Sequence, residues 1–91
     1  MTISSALELY WSLAREKTLE KSPDQIRRWR NPHIKAINNL IGVIGDVPIN
    51  QISHDDMQDF REWWLDRIAD DGIKPHSANK DFTYIATVLR T

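Results

Sequence analysis

Four segments whose apolar residues recur every three or four positions predict an all-α domain, a bundle of four to five helices. Each segment carries a serine near its expected start, and two of them close on glycine, so the punctuation agrees with the periodicity. No stretch alternates polar and apolar residues as a half-buried strand would, and no internal repeat is present.

The first helix is expected from about Ser5 to Leu19. Ser5 and Glu8 have capping-box spacing, and Leu7, Tyr10, Trp11 and Ala14 form an apolar stripe. Ser22 and Pro23 open the second, with Gln25 three residues after the cap. Its buried side is read as Ile26, Trp29, Ile37, Leu40, Ile41 and Ile44. Pro32 interrupts that pattern, because it lacks an N–H and crowds the preceding turn, so a kink or two short helices meeting near Asn31 is expected. Gly45-Asp46 ends the segment, and Val47-Pro48-Ile49 reads as an extended connection.

Ser53 starts the third helix, with Asp55 and Asp56 at the positive end of its dipole. Met57, Phe60, Trp64, Leu65 and Ile68 fall on one face, and Asp71-Gly72 provides a left-handed exit. After a loop from Ile73 to His76, Ser77 is expected to cap a fourth helix carrying Ala78, Phe82, Ile85, Ala86 and Leu89. That apolar pattern is still running at Thr91, which suggests a single domain, residues 1–91, taken from a longer protein.

A chain of 91 residues with 41% hydrophobic and 27% charged side chains suits one compact core. It has no cysteine, no apolar run near the ~20 residues that span a bilayer, and no signal-peptide pattern, so no membrane partner is expected and the cytoplasm is the default location. The formal net charge is −1, but its distribution is uneven. From Arg15 to Lys35 seven basic residues face three acids; from Asp46 to Asp71 eight acids face Arg61 and Arg67. Such a chain can fold with one positive and one negative face, and local potential is what steers a polyanion.

Little in the sequence points to catalysis. His33, His54 and His76 lie in different segments without metal-ligand spacing and read as surface or capping residues. There is no phosphate-binding glycine loop, and no nucleophile has a base beside it. No catalytic residue, metal or cofactor is assigned. The third helix's acids read as a solvated face.

The order of short motifs is more specific. Leu40 to Ile49 reads Leu-Ile-Gly-Val-Ile-Gly-Asp-Val-Pro-Ile and leads into Ile52-Ser53; Gly72 to Phe82 reads Gly-Ile-Lys-Pro-His-Ser-Ala-Asn-Lys-Asp-Phe. Together these resemble the N-terminal core-binding domain of tyrosine recombinases of the phage-integrase type. There a Gly-Asp-x-Pro step precedes an Ile-Thr or Ile-Ser cap, and a Gly-x-Ser-x-x-Thr-x-Asn-[Lys/Arg] signature begins the last helix. Ser77 takes the threonine's place, and Pro75 stands near the usual serine. The resemblance spans about Ser5 to Thr91.

It implies a SAM-like orthogonal bundle forming one half of a clamp around double-stranded DNA, in a protein that supports DNA integration and recombination. A separate catalytic domain and neighbouring recombinase subunits are the other implied partners, and the module itself is not an enzyme. Tyr10 and Tyr84 sit in apolar helical patterns and have no claim to be the nucleophile. The family's DNA contacts fall on the second and fourth helices. Carried over, they give Arg27, Arg28, Asn31 and Lys35 on the second, and His76, Ser77, Asn79 and Lys80 around the start of the fourth. Arginine can pair bidentately with guanine or phosphate, lysine supplies a point charge, and a helix start favours a phosphate. Lys80 leads these candidates, followed by Arg27 and Arg28.

Each has a plainer reading. Arg28 has ion-pair spacing to Asp24, and Ser77 suffices as a structural cap. Trp11, Trp29, Trp63 and Trp64 read as core or interface residues, with Trp63 placed to cover a partner. The competing function is a helical protein–protein interaction module that uses the Trp-rich or acidic face.

Overall fold

The structure is a computed structural model that describes residues 1–90. Its described residues form four α-helices and no strand: α1 (Ile3–Leu13), α2 (Pro23–Ile44), α3 (His54–Asp71) and α4 (Pro75–Leu89). Short 3-10 turns occupy Arg15–Thr18 and Ile49–Gln51. The all-α class is as expected. No helix is long and apolar enough to cross a membrane.

Capping chemistry sets most of the boundaries. Ser22 opens α2 with a full capping box: its hydroxyl accepts from the Gln25 N–H, while the Gln25 side chain accepts from the Ser22 N–H. Ser53 and Asp56 do the same for α3. Gly72 leaves α3 at φ 68°, and Gly45 leaves α2 at φ 86°, both in the region that favours glycine.

Two other starts differ from expectation. Thr2, not Ser5, caps α1, its hydroxyl accepting from the Ser5 N–H, so the expected Ser5–Glu8 box does not form. The cap for α4 falls on Lys74, and Pro75 occupies the first helical position. Proline needs no N–H there and its fixed φ suits the first turn, so it outcompetes Ser77 as the starting point. Ser77 lies inside the first turn, its N–H donating to the Lys74 carbonyl.

α1 also stops at Leu13 rather than running to Leu19, and Leu13 and Leu19 are both exposed. Pro32 does not split α2, which runs unbroken through it for 22 residues. The residues around the proline are held from outside the helix: His33, Ala36, Ile37 and Leu40 are buried, and α2 packs on α1, α3 and α4.

Ile3, Ile37, Leu40, Phe60 and Val88 are the large, fully buried side chains, one or more from each helix. Leu65 departs from its expected inward position and is 52% exposed. The segment after α2 acts as a staple. Asp46 accepts from the Ser4 N–H at 2.9 Å and from its hydroxyl, while Ile3 donates to the Val47 carbonyl and Ile49 to that of Met1. These bonds tie the end of α2 to the start of α1; the expected extended connection is present at Pro48, which bridges to Thr2, but Ile49 already opens the 3-10 turn.

The molecule measures 40 × 31 × 16 Å.

Candidate nucleic-acid interface

The outer face of α2 has an unusual composition. From Gln25 to Ile44 the helix contains no acid, although the chain has 13. Its buried side carries His33, Ala36, Ile37 and Leu40, so helical geometry turns Arg28, Asn31, Lys35 and Asn38 outward, and all four are exposed.

Beside this face, α2 and α4 enclose an open groove of about 810 Å³, with Trp64 of α3 contributing to its wall. Arg28, Asn31, Lys35, Ser77 and Lys80 line it, together with Pro32, Ile34, Asn38, Asn39, Asp81 and Tyr84. Five of the eight sequence-derived candidates, drawn from two helices separated by 30 residues of chain, therefore meet on one concave surface. Arg27, His76 and Asn79 are exposed but do not line the groove.

The cations differ in how they are held. Asp24 pairs with Arg27 at 2.6 Å and with Arg28 at 2.8 Å. Both arginines are highly exposed, so these pairs contribute little and Arg28 can exchange its carboxylate for another anion. Lys35 and Lys80 have no ion pair among the described residues. Asp81, the acid within the groove, is buried and accepts from the Asn39 side chain at 2.8 Å. That bond occupies a carboxylate oxygen and crosses directly from α2 to α4. Trp64, which lines the same groove, has a buried Nε1–H with no acceptor among the described residues, on a ring that is also covered by the Arg67 guanidinium at 5.1 Å.

Behind the groove wall sits an aromatic cluster centred on His33. The expectation of a surface or capping histidine is corrected here: His33 is buried among Tyr10, Trp11, Trp29 and Tyr84, with ring separations from 4.7 to 5.7 Å. Its Nδ1 lies 2.9 Å from the Trp29 carbonyl, which can only accept, so Nδ1 carries the proton. Burial holds its pKa below the usual histidine value; the bond to Trp29 opposes that shift, and the charge of Lys17 adds to it. Tyr84 connects this cluster to the groove, because it touches His33 and lines the cavity as well. Trp11 and Trp29 belong to the same cluster, and Trp64 is core, as their sequence positions suggested.

Sequence reasoning missed Asn38, Asn39 and Asp81 as groove residues. Asn38 carries a signal, standing seven positions after Asn31 on the same face. Asn39 and Asp81 carry none, because their meeting depends on how α2 and α4 pack. No group of three or more histidine, cysteine or acidic side chains among the described residues is arranged to hold a metal ion. Comparison with protein-family models, curated proteins and solved structures finds no match to this chain.

Proposed function

We propose that this chain is a double-stranded DNA-binding module of the tyrosine recombinase core-binding type, a SAM-like orthogonal bundle that grips one face of a recombination site while a separate domain cuts and rejoins the strands. One observation carries this reading. Arg28, Lys35 and Lys80 converge on a single groove with Asn31 and Ser77, in a chain whose overall charge is slightly negative. Phosphate contacts supply affinity and register, and the exposed carboxamides face the same side. The motif order from Leu40 to Ser53 and from Gly72 to Phe82 supports the family reading.

The test is a titration of labelled duplex DNA with the whole chain at about 50 mM and 200 mM salt. Binding that weakens steeply with salt, and that Arg28→Ala/Lys35→Ala/Lys80→Ala reduces on every sequence, supports the proposal. Absence of binding at the lower salt, up to high protein concentration, rejects it. A protein–protein reading is favoured by exposed Leu65 on acidic α3. It predicts self-association or a partner complex that persists without DNA.

A further inference from the structure

We infer that α2 is a base-reading helix whose outer stripe enters the major groove and selects adenines about two base pairs apart. This rests on the DNA-binding reading and adds a sequence preference to it.

Arg28, Asn31, Lys35, Asn38 and Gly42 follow one another at alternating intervals of three and four and are all exposed. They form one straight ridge along the helix, preceded one turn earlier by Asp24, which pairs with Arg28. Asn31 and Asn38 are the two carboxamides of that ridge, and neither has a hydrogen-bond partner among the described residues. Each presents an acceptor and a donor side by side. That pair matches the N6 donor and N7 acceptor of adenine in the major groove, where asparagine makes its best-defined base contact. Seven residues of helix rise about 10.5 Å, and along the oblique major groove, where helix residues three or four apart meet successive bases, that spans about two base-pair steps. Lys35 lies between the two carboxamides and Arg28 precedes them on the same ridge, and both cations can reach guanine edges in that groove.

Gly42 is the second, independent observation. It sits inside α2, where glycine is unfavourable, yet a β-carbon there would meet nothing within 4 Å. Packing therefore does not require glycine at this position. At the end of the ridge its bare backbone lets a sugar–phosphate strand come close. Arg28, Asn31, Lys35 and Asn38 of this ridge all line the open groove between α2 and α4. B-form DNA admits an α-helix in its major groove, whereas A-form RNA does not, so duplex DNA is the ligand.

The experiment selects bound duplexes from a pool with a randomised central tract, using the whole chain at about 50 mM salt. The expected product carries two adenines about two base pairs apart. Asn31→Ala and Asn38→Ala should each abolish the preference at one of those positions, a loss of roughly 5- to 150-fold, with an unchanged salt slope. Gly42→Ala should weaken binding to all duplexes while raising the unfolding temperature, so reduced binding cannot be blamed on misfolding. Salt-dependent binding without an adenine pair, or with a preference that survives both asparagine substitutions, overturns base reading and leaves the DNA-binding reading standing. Equal affinity for an RNA duplex overturns the major-groove geometry. No binding to any duplex overturns both readings.

Discussion

Asn39 donates through Nδ2 to Oδ2 of Asp81 at 2.8 Å, joining α2 to α4 beneath the cationic rim. This bond constrains how far Lys80 stands from Lys35, because Lys80 adjoins Asp81 and Lys35 lies about one helical turn before Asn39. Asp81 is buried, so a lost partner leaves a carboxylate with too few donors. Asn39→Ala is expected to destabilise the fold by about 2 kcal/mol in urea unfolding. Asn39→Ala/Asp81→Ala should cost less than the two single changes added together, since removing both partners leaves nothing unsatisfied. Strict additivity would show that the bond holds nothing.

The cationic residues should separate by position. Lys35→Ala is expected to lower duplex affinity on every sequence and to reduce the salt slope by about 1. Arg27→Ala should do less, because Arg27 stands outside the groove and is paired with Asp24 at 2.6 Å. Anisotropy titrations over a salt series compare the two; a larger effect from Arg27 would move the binding face off the groove.

His33 gives the fold a defined pH dependence. Its pKa is held below the ordinary value of 6.5 by burial, so the unfolded chain takes up a proton before the folded one does. Its contribution to stability is complete above pH 6.5 and is lost as the pH falls from there through the folded-state value. The midpoint of chemical unfolding should therefore drop between pH 7.5 and 5, and His33→Gln should flatten that drop. An identical pH profile in the variant would exclude His33 as the source.

Phe60 is fully buried, stacks on Trp63 at 5.8 Å and meets the Phe82 ring edge-on at 5.3 Å. Phe60→Ala should cost about 3–5 kcal/mol in equilibrium unfolding. Leu65→Ala, at an exposed position of the same helix, should cost far less. Equal losses would return Leu65 to the core side that its spacing suggested.

Helix identity and most helix ends were written locally. The Ser22–Gln25 and Ser53–Asp56 boxes and the glycine exits at 45 and 72 need only neighbours in the chain, so spacing alone reveals them. Ser77 and Leu19 were misread where two local signals competed, proline against serine at α4 and continued periodicity against a 3-10 turn after α1. The excess of basic residues between Arg15 and Lys35 was also legible, and so was the ridge residue Asn31.

The chain order by itself determined four amphipathic helices, the capping boxes of α2 and α3, and the absence of acids from Gln25 to Ile44. Tertiary packing alone decided that Lys80 joins Arg28 and Lys35 around one groove, that Asn39 meets Asp81, and that His33 is enclosed by aromatic rings. The reason is range. Caps and periodicity act over three or four residues of backbone, whereas a groove between two helices depends on a crossing set by buried side chains from all four.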